Sequence, residues 1–376
     1  MMLFLLSLAC TSAQKETAED LVQENTCNFL DFPADAFALL PASPKTQIHA
    51  DIAFSGEYLW MTYNLPNDEG KFDVYLASFD CEGNPSWGPS QILQREGVNQ
   101  TTPRIAISGD HILVASQGDN ASAGNNLSIQ LHIQDENGNL IQERDWAPSV
   151  DGEVIGNHWL PSVVGTDDGF WIAAAAASTN GPYFRTLVQA LDADGAAVEP
   201  PHWVGPDSYA VYPNIDAQDE RYVVSWDDQE NVYWTTGTIT GQDGETQQQS
   251  NAGFSRVIWD GATIRVFSSQ ISPPQILLDG ESLSSSANTH LPNAVSGENS
   301  IAYAHFRIQS GFQNDLLYGH IQGDSLVSSD QIITSNPAAA PYRPAITHLG
   351  GDSFFVVWSQ GDNPDFELWG QRLTLD

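Results

Sequence analysis

The chain has 376 residues carrying 48 acidic and 13 basic side chains, a formal net charge of −35. Hydrophobic residues at 41% and aromatics at 10% supply enough apolar surface for a sizeable core, which excludes a wholly disordered acidic tail. Nucleic-acid binding is excluded by the same numbers, because phosphate neutralisation needs clustered Lys and Arg and only three lysines are present. The excess negative charge also opposes adsorption to anionic lipid headgroups.

The amino terminus, Met1 to Ala9, is uncharged and apolar but too short to span a bilayer, which takes about twenty residues. It reads as the apolar region of a secretory signal, although the usual basic flank is missing. Ser7-Leu8-Ala9-Cys10 resembles a bacterial lipobox, in which the Cys after Ala becomes lipid-modified; that pattern usually has Leu where Ser7 stands. Cleavage after Ala13 is the rival reading. The lipoprotein reading makes 1–9 a signal peptide and 10–35 a lipid-attachment cysteine with a polar tether. Membrane association then runs only through Cys10, on a bacterial outer membrane or cell surface, with soluble secretion as the alternative. With Cys10 acylated, Cys27 and Cys81 are left as an even pair, so a Cys27–Cys81 disulfide is the expectation for an exported protein.

From residue 36 onward the chain repeats itself about every fifty residues. Ile52-Ala53-Phe54-Ser55-Gly56, Ile105-Ala106-Ile107-Ser108-Gly109, Leu160-Pro161-Ser162-Val163, Tyr212-Pro213-Asn214-Ile215, Leu291-Pro292-Asn293-Ala294 and Arg343-Pro344-Ala345-Ile346 belong to one set, with Ser255-Arg256-Val257-Ile258 a weaker member. Anchors fall near 50, 103, 161, 213, 255, 292 and 344.

Each unit repeats one internal order. A short apolar strand at the anchor leads to a Gly/Asp turn, then to a denser strand such as Tyr222-Val223-Val224-Ser225-Trp226 or Phe354-Phe355-Val356-Val357-Trp358. A third strand alternates with period two, as in Leu127-Ser128-Ile129-Gln130-Leu131-His132-Ile133. A Gly-containing hairpin turn and a looser fourth segment follow. Seven such units predict an all-β, seven-bladed β-propeller of four-stranded blades spanning 36–376. A β-sandwich needs no such recurrence. The last unit stops at the end of its third strand, so Phe37-Ala38-Leu39-Leu40-Pro41 is expected to supply the fourth and close the ring.

The best copy of the unit runs from Arg343-Pro344-Ala345-Ile346 through Val356-Val357-Trp358 to Leu368-Trp369-Gly370-Gln371-Arg372-Leu373. It resembles the repeats of bacterial exported β-propeller lipoproteins. That resemblance implies a propeller and an envelope location; such proteins are mostly of unassigned activity.

Chemical motifs are sparse. Nine histidines are scattered without metal-ligand spacing, and there is no His-Glu-x-x-His, phosphate loop or nucleophile elbow. No catalytic residue and no cofactor are assigned. Ca²⁺ is the one ion that acidic turns such as Asp192-Ala193-Asp194-Gly195 and Asp362-Asn363-Pro364-Asp365 would suit, and ordinary hairpin chemistry explains them as well. Trp87, Trp159, Trp203 and Trp234 are candidates for stacking on a ligand, against the plainer role of blade packing.

Two functions stay open. One is a monomeric, non-catalytic envelope lipoprotein presenting a binding face to a protein or glycan. The other is a secreted glycan-active hydrolase or lyase with carboxylates at the central channel.

Overall fold

A computed structural model describes residues 32–41, 45–120, 126–177, 184–206, 209–260, 263–284, 288–309, 314–336, 344–362 and 365–375. Seven antiparallel sheets of four or five strands follow one another along the chain, and each is a blade. Blades 1 to 6 occupy 48–93, 99–146, 158–204, 211–250, 252–282 and 289–336, and blade 7 combines 345–374 with Phe37–Ala38. Their innermost strands are Ile48–Phe54, Asn99–Ser108, His158–Thr166, Val211–Gln218, Ala252–Trp259, Thr289–Ser296 and Ala345–Gly350. Each lies against the innermost strand of the next blade, and the seventh returns to the first. The chain is a seven-bladed β-propeller.

The dense second strands are apolar on both faces because each face meets a neighbouring blade. In Gly169–Ala177, Phe170, Ile172, Ala174 and Ala176 pack toward blade 2, while Trp171 and Ala173 pack toward blade 4. Alternation still operates there, but both sets of side chains are buried. Hairpin turns are stabilised locally: Asp80 Oδ1 accepts from the Glu82 and Asn84 amides, and Asp135 Oδ1 from those of Asn137 and Asn139. Gly83 and Gly138, at φ of +81° each, take the left-handed position of these turns.

Closure follows the expected exchange. Phe37 pairs with Gly370 and Ala38 with Trp369, completing blade 7 with an N-terminal strand. The Leu39 amide donates to the Leu368 carbonyl at 2.9 Å, and Leu39 and Leu40 are buried. Packing begins earlier than that strand, inside the segment read as tether: Phe32 is buried, with its ring 5.2 Å from that of Phe355. An added hairpin, Ser149–Val150 with Glu153–Val154, sits between blades 2 and 3.

Candidate functional site

The repeated anchor is a β-bulge. In six blades the pairing of the innermost strand slips by one residue at the anchor, between Ile48 and Asp51, Thr101 and Arg104, Trp159 and Ser162, Val211 and Asn214, Gly253 and Arg256, and His290 and Asn293. The residue before the anchor takes a left-handed conformation each time: His49, Thr102, Leu160, Tyr212, Phe254 and Leu291 all have φ between 48° and 55°. Such a conformation costs about 1–2 kcal/mol per non-glycine residue, so the surrounding ladder must hold it in place.

The bulge sorts side chains into two circles. Residues just after the anchor line an axial cavity of about 60 Å³: Asp51, Arg104, Ser162, Asn214, Arg256 and Asn293. Residues just before it form the rim. Thr102, Leu160 and Tyr212 line a second cavity that shares Arg104, Ser162 and Asn214 with the first. Tyr212 and Phe254, from adjacent blades, are 40% and 37% exposed with ring centroids 5.1 Å apart.

Much of the inner circle is committed to holding blades together. Asp51 Oδ2 accepts the Ile105 amide at 3.1 Å, Ser162 Oγ the Ile215 amide at 3.2 Å, and Asn214 Oδ1 the Val257 amide at 2.9 Å. These three links join equivalent positions in successive blades. Asn293 Nδ2 donates to the Pro344 carbonyl at 2.9 Å and Arg256 Nε to the Ala294 carbonyl at 3.1 Å. Asp216 lies behind the circle, accepting from the Trp259 and Ala217 amides at 2.7 and 2.9 Å.

Burial raises the Asp51 and Asp216 carboxyls above the usual range, against the lowering effect of nearby arginine charge and amide hydrogen bonds. Burial likewise lowers Arg256, opposed by Asp216 and Asp51. His49 is brought down to about 4, mainly by desolvation; the Asn64 hydrogen bond opposes that shift and Arg104 adds to it.

The four tryptophans singled out from sequence do not converge. Trp87 tilts against Trp60 at 5.7 Å in blade 1, and Trp159 against Phe184 at 5.0 Å in blade 3. Trp203 carries the Arg185 guanidinium over its ring at 5.0 Å. Trp234 packs with the apolar cluster between blades 4 and 5. All four are half-buried. Cys10 and Cys27, and with Cys27 the expected pairing to Cys81, lie outside the described residues. Among the described residues no group of three His, Cys, Asp or Glu side chains is placed to hold a metal, and Asp192 Oδ1 caps its own turn at the Ala196 amide, 2.7 Å away.

No sequence motif marks the two circles. Their sequence signal is a column: aligned on the anchor, six of seven units carry a polar residue at the next position, each followed by an apolar one.

No sequence family matches the chain, and no curated protein resembles it. Solved structures do. A Dyadobacter fermentans protein of unknown function superposes with a TM-score of 0.58 at 8% identity, over 92% of this chain and 99% of that one. Trypanosoma rangeli sialidase, in complex with 2,3-difluorosialic acid, gives 0.56 at 8% identity over 86% of this chain and 54% of its own. The β-propeller domain of the Trilobed protease from Pyrococcus furiosus, described as having an open velcro topology, gives 0.50 at 13% identity over 88% and 98%. At these identities the likeness is one of fold. Unlike an open ring, this chain pairs Phe37–Ala38 onto its last blade.

Proposed function

We propose that the protein is an exported, non-catalytic binding module whose rim receives a glycan or a protein surface. The observation that carries this reading is the Tyr212–Phe254 pair, half-exposed on adjacent bulges beside the axis. Aromatic anchors supply large contact area at low entropic cost, and the C–H face of a sugar or an apolar side chain covers such a pair well.

The hydrolase reading has less support. A general acid has to reach the leaving-group oxygen, and two carboxylates flanking a sugar stand roughly 5–10 Å apart across open space. Asp51 and Asp216 instead accept backbone amides between and within blades, and the 60 Å³ void beside Asp51 is too small for a sugar ring.

A glycan array and a pull-down from envelope extract, run with wild type and a Tyr212→Ala/Phe254→Ala variant, test the proposal. Retained binding by a folded double variant, or turnover of a bound glycan by wild type, would overturn it. Lipid attachment at Cys10 and the Cys27–Cys81 disulfide belong to the same proposal. Processing that is blocked by globomycin and lost in Cys10→Ser supports the first; two titratable thiols from Cys27 and Cys81 in the folded exported protein would contradict the second.

A further inference from the structure

The axial cavity has an unusual charge inventory for a chain of net −35. Its lining carries two guanidinium groups, Arg104 from blade 2 and Arg256 from blade 5, and one carboxylate, Asp51. Among the described residues no carboxylate oxygen comes within 4.0 Å of either arginine. Asp216 opposes the Arg256 charge from behind the lining, while its two oxygens accept the Trp259 and Ala217 amides and so do not reach the guanidinium.

Hydrogen-bond donors are distributed just as unevenly. Asn214 and Asn293 spend an amide N–H on Ser162 Oγ and the Pro344 carbonyl. Among the described residues each arginine spends only one: Arg256 Nε on the Ala294 carbonyl, and an Arg104 terminal nitrogen on its neighbour, the Pro103 carbonyl, at 3.3 Å. A guanidinium has five N–H donors and cannot discharge itself by losing a proton. Two such groups repel one another across a small polar void; on the lining they outnumber Asp51 two to one, with Asp216 opposing Arg256 from behind, and most of their donors have no protein acceptor among the described residues. An anion placed between the two guanidinium groups relieves their repulsion and accepts from the free donors of both.

We propose that the axial cavity is a binding site for one small monovalent anion, a halide or a carboxylate of formate size, held between Arg104 and Arg256. The anion balances the lining, joins opposite sides of the ring and thereby stabilises the closed propeller. The volume sets the size limit: about 60 Å³ holds a few water-sized groups and excludes larger organic acids. This site stands independently of what the rim binds.

Thermal unfolding at constant ionic strength tests it, because general screening of the −35 charge is then the same in every sample. Sodium gluconate, too large for the cavity, is exchanged stepwise for sodium chloride or for sodium formate. The wild-type midpoint should rise saturably by about 2–4 °C in chloride, formate or both, and the salt that acts identifies the occupant. Arg104→Gln and Arg256→Gln should abolish the rise. Identical wild-type midpoints in all three salts, or an undiminished rise in both variants, would overturn the site. Should the variants fail to fold, wild-type crystals soaked in bromide and in formate decide: an anomalous bromide peak or formate density between Arg104 and Arg256 supports the site, and the absence of both refutes it.

Discussion

The amide of Ile105, in blade 2, donates to Asp51 Oδ2, in blade 1, at 3.1 Å. The same step recurs from Ile215 to Ser162 and from Val257 to Asn214, so three seams of the ring are fastened by one side chain at one repeat position. A propeller has no central core shared by all its blades. Its inner edge is held by such links, and its outer layers by the two-faced apolar strands.

Asn214 serves two of these seams, donating to Ser162 and accepting from Val257. Asn214→Ala should leave the buried Val257 amide without its acceptor and take from Ser162 Oγ one of its two donors, the Ile215 amide remaining, at a cost of about 1–3 kcal/mol. Equilibrium denaturation in urea measures it, and Asn214→Asp should restore the acceptor at Val257 but not the donor to Ser162.

Blades 2 and 3 approach each other through a glycine. A Cβ placed on Gly165 would lie 1.7 Å from the Ile107 carbonyl oxygen, a backbone atom that cannot swing aside. Gly165→Ala should therefore destabilise severely, by more than about 3 kcal/mol, or prevent folding. Gly109, with nothing within 4 Å of its hypothetical Cβ and a φ of +56°, is the control: Gly109→Ala should cost only about 1 kcal/mol of backbone strain. Comparing the two by thermal unfolding separates seam contact from turn strain.

Closure rests on a short strand and the apolar residues behind it. Leu39 is 3% exposed and packs into the cluster shared by blades 7 and 1. Leu39→Ala should cost about 2–4 kcal/mol. Deleting 32–41 should lower the unfolding temperature further and open the Leu368–Gly370 edge to hydrogen exchange, read by mass spectrometry.

His49 gives the ring a pH response of known sign. Its folded pKa of about 4 lies below the ordinary histidine value of 6.5, so the unfolded chain binds the extra proton between those values. Stability from this group is complete above pH 6.5 and is lost as pH falls toward 4, by at most about 3 kcal/mol. The raised Asp51 works in the opposite direction, favouring the fold as pH falls from neutrality toward its ordinary range. Urea midpoints between pH 4 and 7 should fall less steeply in His49→Asn than in wild type, and more steeply in Asp51→Asn.

Blade number, strand order and closure are legible in the sequence, because each leaves a local mark in a unit that recurs about every fifty residues. Period-two alternation marks the third strands, and unbroken apolar runs such as Phe354-Phe355-Val356-Val357-Trp358 mark sheets covered on both faces. A unit lacking its fourth strand points to the exchange that Phe37–Ala38 makes with Gly370 and Trp369.

The site was another matter. Tyr212 and Phe254 are 42 residues apart and meet only because a bulge in each blade turns the residue before the anchor toward the channel mouth. Trp87, Trp159, Trp203 and Trp234 looked the better stacking surfaces by residue type, yet their surroundings place them among blade-packing contacts of separate regions. Arg104 and Arg256 share a void because their blades stand on different sides of one axis, which no spacing along the chain encodes. Sequence periodicity determined the repeating unit through short-range sterics and burial. Only ring closure decided which residue of each unit would face the axis, the rim or the next blade, because those neighbours come from elsewhere in the chain.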